Sequence, residues 1–141
     1  LHSFPTRRSS DLLSFTTPQD IALIDARRGI AMFEKVGVPI LGVVENMAMH
    51  RCTQCGHEEH IFGAGGGQRM AAEYGVDYLG GLPLALHIRE QADSGCPTVI
   101  AAPDSAEAET YRAIARRLAV KIAAQAKDYS SRFPGIRVSN T

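Results

Sequence analysis

The chain has 141 residues, of which 45% are hydrophobic and 21% charged. It is therefore long enough to bury one core, and its composition is that of an ordinary globular domain. Fifteen basic and fifteen acidic residues cancel, so the whole chain has no electrostatic attraction for nucleic acid or for an anionic membrane. No apolar run reaches the length of a membrane-spanning helix. We expect a soluble protein with neither a nucleic-acid partner nor a membrane partner.

Only three cysteines are present, and two of them, Cys52 and Cys55, form a Cys-x-x-Cys motif. Such usage does not resemble the disulfide framework of a small secreted domain. Thiols of this kind stay free in a reducing compartment, so we expect a cytoplasmic protein.

The two ends of the chain differ from its middle. Residues 1–12 are basic and rich in serine, and they lack the apolar core of a signal peptide. A transit peptide is one interpretation, but we predict that they are a non-native leader and leave them out of the fold argument. Residues 128–141 are polar and are predicted to form a flexible tail.

The first predicted helix follows Thr17, which we expect to be its N-cap. Pro18 suits the first helical position, and Asp20 places negative charge in the first turn. Apolar residues at helical spacing extend the helix to about Val36, and Gly37 ends it.

The rest of the chain alternates short apolar runs with helical patterns. Residues 38–44 predict a buried strand. Glycine-rich residues 63–67 lead into a predicted short helix over residues 68–74, with Gly75 as its stop. The remaining predicted elements are a strand at 77–82, a short helix within 87–94, a strand at 98–102 and a long helix from Ala106 to Lys127 capped by Ser105.

This alternation predicts an α/β fold with a mostly parallel sheet and flanking helices. Two or three strands are few for helices of this length. We therefore expect residues 13–127 to be part of a larger α/β domain whose N-terminal strands are missing.

The motif formed by Cys52 and Cys55 carries the strongest chemical signal. Two thiols three positions apart can bind one metal centre from a single turn, and Gly56 permits the positive φ that such a turn often needs. Because the motif follows a predicted buried strand, we expect it on a loop at the carboxyl end of the sheet, where open α/β sheets have their sites.

The residues alone favour two metal centres equally. Cys-x-x-Cys with a following histidine can begin a tetrahedral Zn²⁺ site, which His57 or His60 would complete. An iron–sulfur cluster suits the same thiols. The simplest interpretation of His50, His57 and His60 is that they are solvated loop histidines. A thioredoxin-like redox role is disfavoured because the motif does not open a helix.

Several separate motifs resemble one family, the Mrp/ApbC P-loop ATPases that carry iron–sulfur clusters. They occur in the order that the family has, and the resemblance runs from about Ser14 to Lys127. The motifs are residues 17–25 (Thr-Pro-Gln-Asp-Ile-Ala-Leu-Ile-Asp), 43–47 (Val-Val-Glu-Asn-Met), 52–57 (Cys-Thr-Gln-Cys-Gly-His), 61–63 (Ile-Phe-Gly) and 82–84 (Leu-Pro-Leu).

The resemblance implies a deviant Walker A ATPase fold and a homodimer with a [4Fe–4S] cluster between its two subunits. By position, Cys52 and Cys55 would be the cluster thiolates, and two copies would supply the four that such a cluster needs. Asn46 would contact the nucleotide base, since its amide offers a donor and an acceptor to an adenine edge. Pro83 and Leu84 would line the other side of the base.

One part of the family pattern is absent. No Gly-Lys-Ser or Gly-Lys-Thr occurs in the sequence, so the Walker A motif that holds phosphate is missing. Residues 63–67 precede a helix, but Arg69 is no substitute for the P-loop lysine. The chain resembles the C-terminal part of the family's domain. We predict that it does not hydrolyse ATP by itself, although ATP and Mg²⁺ would serve the full-length protein.

Three functions follow from these patterns. The first is a carrier that passes a [4Fe–4S] cluster to apo iron–sulfur proteins in an ATP-dependent way. The second is a non-enzymatic binding or scaffold module stabilised by Zn²⁺. The third, a partitioning-type ATPase acting on membranes or nucleoids, is disfavoured by the neutral charge and by the lack of a basic amphipathic terminal helix.

Overall fold

The computed structural model describes residues 11–125. This part of the chain forms five strands and five helices. In chain order they are β1 (Leu12–Thr16), α1 (Asp20–Lys35), β2 (Ile40–Glu45), β3 (His50–Arg51), β4 (Glu58–Glu59), α2 (Gly66–Glu73), β5 (Tyr78–Gly81), α3 (Leu86–Asp93), α4 (Thr98–Ala101) and α5 (Ala106–Gln125).

Strands β1, β2 and β5 form a parallel sheet with β2 in the centre. Phe15 lies opposite Val44 on one side, and Val44 lies opposite Gly80 on the other. Strands β3 and β4 form a separate antiparallel pair between β2 and α2. The expectation of an α/β fold with a parallel sheet and flanking helices is confirmed.

The sheet separates two apolar clusters. Val43 and Val44 are both fully buried, and because neighbouring strand residues point to opposite faces, each belongs to a different cluster. The first cluster joins β2 to α1 and α2 through Leu23, Ile30, Val43, Met70 and Ala71. The second joins β2 and β5 to α5 through Val44, Leu79, Leu82 and Ile114.

Helix α5 begins as its sequence predicts. The Ser105 hydroxyl oxygen accepts a hydrogen bond from the backbone N–H of Ala108 at 3.1 Å, which is the N-cap arrangement. Tyr111 and Leu118 pack with Ile114 against the sheet. The predicted end at Lys127 lies outside the described residues, as do residues 1–10 and the predicted tail.

Strand β1 is not among the predicted elements. It begins at Leu12, so the prediction that the leader extends through residue 12 is wrong at this residue. Only five residues form it. In its last three positions, Ser14 and Thr16 are polar and buried, and Phe15 between them is exposed. The apolar pattern of a buried strand is therefore absent, and pairing with β2 is what defines this one.

Two further local predictions are wrong. The hydroxyl of Thr17 donates to Gln19 Oε1 at 2.8 Å and does not cap α1, which begins at Asp20. Residues 98–102 do not form a strand, because Thr98–Ala101 is a helical turn whose Ala101 N–H donates to the carbonyl oxygen of Pro97 at 2.9 Å. Short apolar runs do not distinguish a strand from a helix by periodicity.

Within residues 11–125, no helix combines the length and the apolar character that crossing a membrane requires.

Candidate functional site

The carboxyl ends of the three parallel strands meet at one edge of the sheet. The N–H of Asn46, directly after β2, donates to the carbonyl oxygen of Thr16 at the end of β1 at 2.7 Å. On the other side, the N–H of Leu82 donates to the carbonyl oxygen of Glu45 at 2.8 Å. Sites of open α/β proteins lie at this edge, and the chain leaves it to form the cysteine-bearing segment.

That segment is a short hairpin. His50 pairs with Glu59 and Arg51 with Glu58. The Arg51 guanidinium lies 2.9 Å from the Glu58 carboxylate, and His50 Nδ1 lies 3.4 Å from that of Glu59. The sequence predicts a loop here, and the structure refines it to a turn supported by two paired strands.

Cys52 and Cys55 lie in the turn at the tip of this hairpin. The Gly56 N–H donates to the carbonyl oxygen of Cys52, and the Cys52 N–H donates to that of His57, both at 2.9 Å. Gly56 has a φ of 72°, which confirms the expected positive φ. Cys52 is half-buried and Cys55 is exposed. The pair is therefore presented by a hydrogen-bonded turn that leaves Cys55 exposed.

The backbone of the turn also affects the chemistry of Cys52. Hydrogen bonds from the backbone N–H groups of Cys55 and then Gln54, followed by the Cys55 thiol, lower the pKa of Cys52 below that of an ordinary cysteine. Burial and the nearby Glu59 carboxylate oppose this shift without reversing it. Because the thiolate is the metal-binding form of cysteine, the turn favours ligation.

The neighbouring histidines do not join the cysteines. His60 lies with Nδ1 2.7 Å from the carbonyl oxygen of Ala48, to which the Nδ1–H tautomer donates. His57 is exposed, and His50 faces Glu59. Across residues 11–125, no three side chains of His, Cys, Asp or Glu are grouped closely enough to hold a metal ion. At this turn, the described part of one chain thus offers a pair of thiols, Cys52 and Cys55, with no third ligand beside them.

The three predicted base-contacting residues lie on adjacent segments. The Ala48 N–H donates to the carbonyl oxygen of Leu82 at 2.9 Å, and the Leu84 N–H donates to that of Met49 at 2.7 Å. Residues 46–50 therefore run beside residues 82–84, which brings Pro83 and Leu84 to the segment that Asn46 begins.

Asn46 is half-buried, and its Oδ1 accepts the N–H of Met47 at 3.0 Å. It lines a depression of about 480 Å³ together with Phe15, Thr17 and Asp25, among others. Pro83 and Leu84 do not line this depression. A slightly larger one, of about 560 Å³, lies between α2 and α5 at the start of β5 and contains neither Asn46 nor a cysteine.

Glu45 is a buried residue of the site that sequence reasoning missed. Its side chain is buried at the end of β2, and Oε2 accepts a hydrogen bond from the N–H of Gly67. The signal available in the sequence was a carboxylate that directly ends an apolar run, followed later by the glycines of residues 63–67.

A family model described as the NUBPL iron-transfer P-loop NTPase, of the ParA group, matches residues 5–119. The chain belongs to this family. The resemblance to the Mrp/ApbC proteins is thereby confirmed, since curated relatives of the chain carry the names of iron–sulfur carriers. The match begins within residues 1–12, so the assignment of that segment as a non-native leader stays a prediction.

Curated bacterial and animal proteins are similar to this chain. An "Iron-sulfur cluster carrier protein" of Pseudomonas fragi is 61% identical over 100 residues, which are 71% of this chain and 35% of that protein. The protein of the same name from Escherichia coli K12 is 54% identical over 107 residues, 76% of this chain and 29% of the relative. The mouse "Iron-sulfur cluster transfer protein NUBPL" is 51% identical over 100 residues, 71% and 31% of the two chains. The chain thus spans about a third of the length of these relatives.

Solved structures agree on the fold. A nucleotide-binding protein of Archaeoglobus fulgidus in complex with ADP is 28% identical, with a TM-score of 0.50 over 59% of this chain and 35% of that one. The cell division ATPase MinD of Pyrococcus furiosus is 24% identical, with a TM-score of 0.55 over 81% of this chain and 43% of that one. The second likeness bears on the fold alone, which is that of the P-loop NTPases.

Proposed function

We propose that the full-length protein is an iron–sulfur cluster carrier and that Cys52 and Cys55 bind its [4Fe–4S] cargo between two copies of the chain. The observation that carries this proposal is the position of the two thiols in a hydrogen-bonded turn at the tip of a hairpin, with Cys55 exposed. The names of the bacterial and mouse relatives support the same function.

The number of ligands favours a homodimer. A cubane cluster held by protein thiolates takes four of them, and within the described residues the Cys52–Cys55 pair has no third ligand beside it. A two-fold axis through the cluster would supply the other two from the same turn of the partner. Exposure of Cys55 suits a cargo, because the thiols of an apo-protein recipient need access to the iron.

Nucleotide binding belongs to the full-length protein in this proposal. Asn46, with Pro83 and Leu84 beside it, would contact the base of ATP, and Mg²⁺ would accompany the phosphates. The ADP bound by the similar archaeal protein supports nucleotide binding. The chain lacks a Gly-Lys-Ser/Thr sequence, so we expect the 141-residue chain to show no Mg²⁺-dependent ATP turnover. A cytoplasmic location remains part of the proposal and follows from the free thiols.

Anaerobic reconstitution with iron and sulfide tests the proposal. We expect a broad charge-transfer absorbance and about four irons per dimer, the number that four thiolates support. Cys52→Ser/Cys55→Ser should lose both. Cys96→Ser is the matched control, because Cys96 is also a free, exposed thiol but lies between α3 and α4. Equal iron in the double variant and in the wild type would remove the basis of the proposal.

A module stabilised by Zn²⁺ is the second candidate. The turn itself favours it, since a positive-φ glycine directly after Cys-x-x-Cys and a following His57 are compatible with a tetrahedral zinc site. This candidate predicts a colourless protein that retains zinc after purification and takes up no iron. Metal analysis of the same samples therefore separates the two functions.

A further inference from the structure

Glu45 and Gly67 lie at the two ends of the segment that carries the cysteine pair. The chain leaves strand β2 at Glu45, forms the hairpin and returns to the core in the first turn of α2. There, the N–H of Gly67 donates a hydrogen bond of 2.5 Å to Glu45 Oε2. One side chain thus connects the outgoing and the returning ends of residues 46–66.

The surroundings of Glu45 suit a carboxylate bound to backbone. The residue is 2% exposed, and a buried carboxylate is costly unless it is paired or hydrogen-bonded. The first turn of a helix provides free N–H groups and the positive end of the helix dipole. Contact is possible because residue 67 is glycine: a Cβ there would lie 3.0 Å from Glu45 Cβ and 3.1 Å from Oε2.

The two ends of the segment are attached in different ways. The outgoing end, residues 46–50, is bound to residues 82–84 through backbone hydrogen bonds. The returning end, residues 60–67, is bound through side chains, with His60 at the carbonyl oxygen of Ala48 and Glu45 at Gly67. Removing the Glu45 carboxylate would therefore loosen the returning end at Gly67, leaving it the His60 contact alone, while the outgoing end keeps its backbone hydrogen bonds.

We infer that Glu45 is a positioning residue for the cysteine pair. Its carboxylate fixes residues 60–67, and through them strand β4 and the turn at residues 52–56, in relation to the sheet. This inference rests on the proposed function, because two copies can place four thiolates on one cluster only if each turn is held in a defined orientation.

Amide hydrogen exchange on the cluster-free, 141-residue chain tests the structural part. In Glu45→Ala we expect the amides of residues 58–67 to exchange at least about tenfold faster, while the Val43 amide, bonded to the carbonyl oxygen of Asp77, keeps its protection. Glu45→Gln retains an oxygen acceptor and should stay close to wild type. Faster exchange spread equally over both regions, or no change in residues 58–67, would overturn the inference.

Gly67→Ala should act in the same direction but more weakly, since a methyl group 3.0 Å from Glu45 Cβ and 3.1 Å from Oε2 crowds the carboxylate without removing it. It provides the test if Glu45→Ala does not fold. The two substitutions act on one hydrogen bond, so their effects on exchange should not add in the double variant.

Cluster retention tests the functional part. After reconstitution, Glu45→Ala should lose its charge-transfer absorbance to an iron chelator about tenfold faster than wild type, the lower range for loss of an outer contact at a metal site. Glu45→Gln should restore most of the retention. The matched control is Glu73→Ala, at the far end of α2, where an exposed carboxylate pairs with Arg27 at 3.0 Å. Its retention should equal that of wild type.

The outcomes for the two proposals are separable. A wild-type chain that takes up no iron contradicts the proposed function, and the exchange data on the cluster-free chain then still decide whether Glu45 holds the returning end. Clusters that form in every variant and are retained equally would overturn the role of Glu45 and leave the carrier function standing.

Discussion

The carbonyl oxygen of Cys52 and the backbone N–H of Gly56 are joined by a hydrogen bond of 2.9 Å that closes the cysteine turn. Gly56 makes this bond from a φ of 72°. No neighbouring atom would come within 4 Å of a Cβ at this position. The requirement for glycine is therefore conformational and not steric.

Gly56→Ala should weaken the turn selectively. A left-handed conformation costs an L-residue about 1–2 kcal/mol, and reduced freedom of the unfolded chain offsets about half of that. A net cost near 1 kcal/mol corresponds to about fivefold faster exchange of the Cys52 and Gly56 amides. Exchange measured by NMR on the cluster-free chain checks this.

Gly56→Asn is the matched variant, because asparagine tolerates the left-handed region better than alanine. Its amides should exchange at rates between those of wild type and Gly56→Ala. Equal exchange in all three chains would contradict the conformational explanation.

A second prediction concerns the rate at which Cys52 is alkylated, which depends on its pKa. The N–H groups of Cys55 and Gln54 stabilise the thiolate and so lower this pKa in the folded chain. A lowered pKa means that half of the Cys52 thiols are ionised at a lower pH than in a free cysteine, whose pKa is about 8.5. Near pH 7.5 the folded chain should therefore alkylate faster at Cys52 than the same chain in urea.

Mass spectrometry of iodoacetamide-treated protein across pH 6–10 measures this profile, which spans the range of thiol ionisation. We expect the midpoint for Cys52 to move upward on unfolding. Gly56→Ala should shift the folded midpoint in the same direction, since it loosens the turn that aims the two N–H groups at the sulfur. A midpoint that is identical in folded and unfolded chains would contradict the backbone hydrogen bonds.

Much of the fold could be predicted from local signals. The apolar run before Glu45 predicts β2, and Ser105 predicts the start of α5, because these signals are adjacent in sequence to the elements that they define. Strand β1 escaped prediction because its inward-facing residues, Ser14 and Thr16, are polar. Its stability comes from pairing with β2, which a local pattern does not report.

The site divides in the same way. Cys52, Cys55 and the need for Gly56 were evident from spacing and residue type. The hairpin that carries them was not, because it consists of two residue pairs whose partners lie seven and nine positions apart. The contact between Glu45 and Gly67 joins residues 22 positions apart. Only the packing of α2 against the end of β2 brings them together.

Gly42 supports a third prediction, on the packing of the sheet. A Cβ at this position would lie 2.7 Å from the carbonyl oxygen of Asp77 and 2.8 Å from Leu79 Cγ. Gly42→Ala therefore forces β2 and β5 apart and should cost about 1–3 kcal/mol of the free energy of unfolding. Urea denaturation followed by circular dichroism measures the loss.

Gly29→Ala is the control for this measurement. Gly29 lies within α1, and a Cβ there would meet no atom within 4 Å. Alanine should therefore stabilise the helix by about 0.5–1 kcal/mol. If Gly42→Ala unfolds at the same urea concentration as wild type, β2 and β5 leave room for a Cβ at residue 42, and the predicted clash is wrong.

Lys121 gives the last prediction, on the attachment of α5 to the sheet. Its ammonium group lies 2.6 Å from the Asp77 carboxylate and donates a hydrogen bond of 3.0 Å to the carbonyl oxygen of Leu41. The side chain of Asp77 is 62% exposed, so solvent screens the ion pair and its contribution should stay below about 1 kcal/mol.

Lys121→Met keeps the apolar stem of the side chain but removes both contacts. It should cost about 1 kcal/mol more of the free energy of unfolding than Asp77→Asn, which leaves the hydrogen bond to the Leu41 carbonyl oxygen. Urea denaturation of both variants and of the double variant yields the coupling energy, which should decrease when the salt concentration is raised because the pair is partly exposed. Equal losses for the two single variants would mean that the ion pair, and not the bond to the Leu41 carbonyl oxygen, attaches the helix.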